Sequence, residues 1–119
     1  MTGTLNMEVI DELMALSEDG DPELLVDLIE MYLADSPGKI EAITRGTSAG
    51  DWEAVERAAH SLKGSAGNLG AVEVQSLCDR VQNACRSKET TDVPEMVRAL
   101  QEHARAAETA LRELLDRLR

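Results

Sequence analysis

Apolar residues recur at helical intervals along most of the chain, and the strict alternation that marks a half-buried strand is absent. Val9, Ile10, Leu13, Met14 and Leu16 stripe a short amphipathic helix over residues 5–16, closed by the polar, glycine-ended run 17–20. Asp21 then precedes Pro22, a capping residue followed by proline at a first helical position, and Leu24, Leu25, Leu28, Ile29 and Tyr32 continue at helical spacing. Ser36-Pro37 repeats that signal, so the chain either starts a new helix or kinks there, with Ile40 and Ile43 facing inward until Gly46. Asp51 caps a helix predicted over residues 52–69, with Gly70 as a left-handed stop, and another helix is predicted over 71–86.

After a polar link over residues 87–92, the last helix carries Val97, Leu100, Ala104, Ala107, Leu111, Leu114 and Leu118 in alternating steps of three and four. A stripe that long requires partners. The expected fold is therefore all-α, an antiparallel four-helix bundle with an additional short N-terminal helix; a coiled-coil dimer through the last helix is the structural competitor.

Composition narrows the function. A chain of 119 residues fits a single domain spanning 1–119 and excludes a multidomain enzyme. Asp and Glu outnumber Lys and Arg by 23 to 12, a net charge of −11, so nucleic acid would be repelled and is not an expected partner. No apolar run approaches the roughly 20 residues that cross a bilayer, and residues 1–7 lack the basic start and apolar stretch of a signal peptide, so no membrane association and a cytoplasmic location are expected. Cys78 and Cys85 lie two turns apart on one helix, too far to bridge each other within it, and their apolar neighbours mark them as core thiols. The two histidines and two cysteines do not form a metal-binding pattern, and His103 falls at the edge of the last helix's stripe, where a partly buried structural role is expected.

His60 is different. Rotating residues 52–69 by about 100° per residue places Trp52, Val55, Ala59, Leu62, Ala66 and Leu69 on one face. Glu53, Glu56, Lys63, Gly64 and Gly67 all lie within about 60° of His60, with Leu62 and Leu69 nearly opposite, so the imidazole is expected to face outward. Gly64 and Gly67 each cost about 1 kcal/mol relative to alanine inside a helix, and two such penalties beside one ring point to a need for access by another protein. A neutral imidazole can attack phosphorus, and Lys63 one turn further on can offset charge on the equatorial oxygens. The non-attacking ring nitrogen must then carry the proton, and Glu56 is one candidate to accept it.

The run His60-Ser61-Leu62-Lys63-Gly64-Ser65-Ala66-Gly67-Asn68-Leu69-Gly70 closely resembles the signature of histidine-containing phosphotransfer domains, which relay phosphoryl groups in two-component signalling; the stretch from Asp51-Trp52 to Ala58-Ala59 looks similar too. The resemblance implies a helical bundle whose exposed histidine, here His60, takes phosphate from a receiver-domain aspartate and passes it to another receiver. It carries over Lys63 as the neighbouring cation, Gly64 as the small residue that opens access and Ser65 as the small polar residue after it. Gln82, in the run from Cys78 to Asn83, matches a glutamine that some members place near the imidazole or phosphate. The docking face would lie around Lys63, Gly64 and Gly67, flanked by Glu56. The implied partners are response-regulator receiver domains and a hybrid histidine kinase, the implied state is a monomer, and any magnesium would belong to the receiver, leaving this chain without a cofactor or metal. Nucleotide-binding loops and the ATP-binding boxes of a histidine kinase are absent from the sequence, so a carrier without ATP-dependent kinase activity is expected.

Overall fold

The computed structural model describes residues 4–17 and 20–119. Five helices are formed in the order α1 (Met7–Ala15), α2 (Glu23–Ala49), α3 (Trp52–Asn68), α4 (Val72–Arg86) and α5 (Val93–Leu118). Helices α2 to α5 pack in a ring, α2 on α3, α3 on α4, α4 on α5 and α5 back on α2, with α1 laid against α2. No strand occurs among the described residues, so the expected bundle with its extra N-terminal helix is the fold.

Leu25, Ile29 and Ile43 of α2, Val55 and Leu62 of α3, Val74 and Val81 of α4, and Leu100 and Leu111 of α5 are essentially fully buried and meet in one cluster. Each such side chain contributes about 1.5–3 kcal/mol by leaving water, which outweighs the modest helix propensities of the valines and isoleucines. The stripe of α5 is spent in this core: Val97, Leu100, Ala107, Leu111 and Leu114 are all buried within the chain, leaving the coiled-coil alternative without its apolar seam. Cys78 and Cys85 are buried free thiols, as expected from their neighbours. Desolvation pushes the Cys78 thiol up to about 12, against a smaller opposing pull from Lys63, which leaves it unreactive at neutral pH. No helix among the described residues is long and apolar enough to cross a membrane.

The structure decides one break that the pattern leaves open and moves another. At Ser36-Pro37 the helix neither ends nor restarts, and α2 runs through Pro37 for 27 residues. Proline removes the donor that would satisfy the Leu33 carbonyl, at a cost of about 3 kcal/mol in a helix interior. Buried Ile29 and Tyr32 before it and Ile43 after it anchor both halves on the same core, so packing carries the helix across.

The second concerns Gly46, expected as the stop. The helix continues to Ala49 and closes on Gly50, which adopts the left-handed conformation at φ 70°. Gly46 is buried for another reason: a Cβ there would lie 2.7 Å from Val55 Cγ2 and 3.2 Å from the Asp51 carbonyl oxygen, so its bare surface is what lets α3 start so close to α2.

Gly70 serves both needs at once. Its φ of 72° closes α3, and a Cβ would sit 2.8 Å from the Asn6 carbonyl oxygen. Its own carbonyl accepts the Asn6 N–H at 2.7 Å, which ties the entry of α1 to the α3–α4 turn, while the Asn6 side chain caps α1 by accepting from the Glu8 N–H. Replacing Gly70 by alanine combines left-handed strain with a backbone clash. Gly70→Ala is therefore expected to lower stability by about 2 kcal/mol, read as a lower urea midpoint at unchanged slope.

Candidate functional site

Helix α3 starts on Asp51, whose side chain accepts from the Ala54 N–H, and buries Val55, Ala59, Leu62 and Ala66. That phase turns His60 to solvent in mid-helix, as the rotation predicts. Helix α4 runs back along the same side and buries Val74, Leu77, Cys78, Val81 and Cys85.

The two helices meet in a regular register, each step of three or four residues along α3 being matched by the same step back along α4. Glu56 accepts from Arg86 Nε at 3.2 Å. His60 Nδ1 faces Gln82 Nε2 at 3.0 Å, Lys63 Nζ donates to Asp79 Oδ1 at 3.3 Å, and Gly67 lies under the Gln75 side chain. The α3 partners fall on one face because residues three and four apart are helical neighbours.

Gln82 is the buried member of this row, only 3 % exposed, and its Oε1 has no hydrogen-bond partner among the described residues. An amide has a donor end and an acceptor end, which a half-turn exchanges. With Nε2 toward the ring, Gln82 donates to a bare Nδ1; with Oε1 toward the ring, it accepts from Nδ1–H. The second arrangement leaves the lone pair on His60 Nε2, the nitrogen that no described residue hydrogen-bonds.

The other candidates separate. Glu56 is engaged by Arg86 and stands one turn from His60, so Gln82, and not Glu56, holds the ring. Lys63 lies beside His60 as expected, with its ammonium turned to Asp79. Gly64 is exposed, and a Cβ there would meet nothing within 4 Å, so the surface next to the imidazole is open. Gly67 is not open in that sense, since a Cβ would come within 2.6 Å of Gln75 Nε2. Ser65 faces the α2 side, accepting from Lys39 Nζ at 2.9 Å and donating to the Ser61 carbonyl at 3.2 Å, and lines a cleft of about 100 Å³ between α2 and α3. Gln75, Asp79 and Arg86 are the α4 members of the row to which the sequence assigns no role; Gln75 is legible beside Gln82 at the flank of the apolar stripe, but the residue opposite each of the three is not. Among the described residues no group of three or more His, Cys, Asp or Glu is arranged to hold a metal. His103 is half-buried on α5, the edge position predicted for it.

Comparison with known proteins gives a consistent result. A family model described as the Hpt domain matches residues 27–119. The chain is 25 % identical over 108 residues to histidine-containing phosphotransfer protein 2 of Arabidopsis thaliana, covering 88 % of this chain and 69 % of that one. It is 35 % identical over 74 residues to the sensory/regulatory protein RpfC of Xanthomonas campestris pv. campestris, covering 62 % of this chain but only 10 % of RpfC. In fold it is similar to the histidine-containing phosphotransfer protein HptB of Pseudomonas aeruginosa, with a TM-score of 0.88 at 24 % identity over the whole of both chains.

Proposed function

This chain belongs to the Hpt domain family of phosphorelay intermediates, and we propose that the phosphoryl group it relays is carried on Nε2 of His60. The observation that supports this most is the contrast between the two ring nitrogens: Nδ1 rests on a buried glutamine amide, while Nε2 has no hydrogen-bond partner among the described residues, on an exposed histidine one helical turn from the bare Gly64.

With Gln82 Oε1 accepting from Nδ1–H, the Nε2 lone pair attacks the phosphorus of an aspartyl phosphate on a receiver domain. The bond from phosphorus to the aspartyl oxygen breaks, and its electron pair leaves on the carboxylate. The ring gains positive charge, which the hydrogen bond to Gln82 stabilises, and Lys63 offsets charge on the equatorial oxygens. When the loaded ring gives its Nδ1 proton to solvent, the rotated amide donates to Nδ1 instead, and Nδ1 takes a proton back from solvent before onward transfer, so one residue serves both forms of the ring. Transfer to a second receiver is the same sequence reversed.

His60 lies in mid-helix, away from any helix N-terminus, so backbone dipoles add little and these side chains with the receiver's own groups do the stabilising. The chain acts as a carrier without ATP-dependent kinase activity, and its partners are receiver domains, including those of hybrid histidine kinases. Incubating the chain with phosphorylated receiver domains should place acid-labile, base-stable label on it; a label stable in acid would contradict phosphorylation on a histidine nitrogen.

Gln82 is open to a separate test. Gln82→Leu keeps the volume, removes a buried polar group and leaves Nδ1 without its partner. Loss of one such hydrogen bond corresponds to about 1 kcal/mol, so a roughly fivefold drop in transfer rate with unchanged or slightly raised thermal stability is expected. A native rate in that variant would remove Gln82 from the mechanism.

A further inference from the structure

We infer that Asp79 is the resting counter-ion of Lys63 and that its carboxylate sets how strongly the site retains a phosphoryl group. The inference rests on His60 being the carrier. Lys63 Nζ stands 3.3 Å from Asp79 Oδ1, with the lysine side chain 30 % and the aspartate 51 % exposed. The pair lies one helical step from His60 and Gln82, on the same row of facing side chains. Asn83 Nδ2, at 3.4 Å from Asp79 Oδ2, makes a second and longer contact that holds the carboxylate in place.

The consequence is a competition. In the unphosphorylated chain the ammonium nearest the imidazole is matched by a carboxylate. A phosphoryl group on Nε2 brings up to two negative charges into reach of the same ammonium. Lys63 must then turn from Asp79 or be shared, and Asp79 is left as a like charge close to the phosphate. Both effects weaken retention. A carrier that must surrender its phosphate gains from this, because a cation fully committed to the phosphoryl group would make the loaded state a sink. The partial exposure of both side chains keeps the exchange inexpensive, since neither group has to be desolvated again when the pair separates.

The test uses the full chain with a purified receiver and reads the equilibrium partition of label between them. Asp79→Asn is expected to shift the partition toward the phosphorylated chain by roughly three- to fivefold and to slow onward transfer, the size set by an exposed ion pair. In a Lys63→Gln background the same substitution should move the partition by less than about twofold, because the cation at stake is gone. An unchanged partition in Asp79→Asn would overturn the inference, leaving the pair as a tether between α3 and α4. Equal shifts in both backgrounds would overturn it too, reducing Asp79 to part of the general negative field. Failure of the native chain to take label at all would instead strike the reading of His60 as carrier, and this inference with it.

Discussion

His60→Gln is expected to lose phosphoryl acceptance down to the background of the assay while keeping the fold. Glutamine offers an amide where the imidazole was, and an amide nitrogen has no lone pair free to attack phosphorus, so no partial activity should survive. The fold has no stake in the ring: His60 is exposed, the core of α3 is carried by Val55, Ala59, Leu62 and Ala66, and the new amide can still meet Gln82. Circular dichroism and the thermal midpoint should therefore match those of the native chain. The informative comparison is label per folded molecule after incubation with a phosphorylated receiver. Label persisting on His60→Gln would move the site elsewhere, and His103, half-buried on α5, would be the next residue to replace.

The parts of this site that were legible in the sequence are those that depend on one helix alone. The phase of α3 follows from Val55, Ala59, Leu62 and Ala66, and it is enough to turn His60, Lys63 and Gly64 outward. The burial of α5 along Val97, Leu100, Ala107 and Leu111 follows in the same way from one periodic stripe. What stayed hidden depends on two helices at once. Glu56, four residues before His60, lies at least as near to it in angle as Lys63, three residues after it, yet the α3–α4 register sets Arg86 opposite Glu56 and Gln82 opposite His60. A shift of that register by one turn would exchange those partners without altering any single-helix pattern. Gly46 was misread as a stop for a related reason, since the approach of Val55 that requires it belongs to α3.

The same distinction separates the two glycines beside the imidazole, and Gly64→Gln is where it has its largest consequence. A Cβ at Gly64 meets nothing, so the longer side chain is accommodated in the isolated chain, and replacing glycine inside a helix should raise stability by about 0.5–1 kcal/mol. The glutamine side chain also stands one turn from His60, in the space through which the proposed docking brings a receiver's active site to the Nε2 atom. Attack on phosphorus needs the reacting atoms about 3 Å apart and in line, and a displacement of 1 Å is enough to cost on the order of a hundredfold in rate. Gly64→Gln should accordingly unfold at a higher temperature and transfer at least a hundredfold more slowly, opposite signs that a general loss of structure cannot produce. Gly67→Ala is the matched control: its Cβ displaces only the flexible end of Gln75, so stability stays near native and transfer is largely retained. Normal transfer in Gly64→Gln would mean that receivers reach His60 from a direction that does not cross Gly64, and the docking face would have to be redrawn toward the α4 side of the ring.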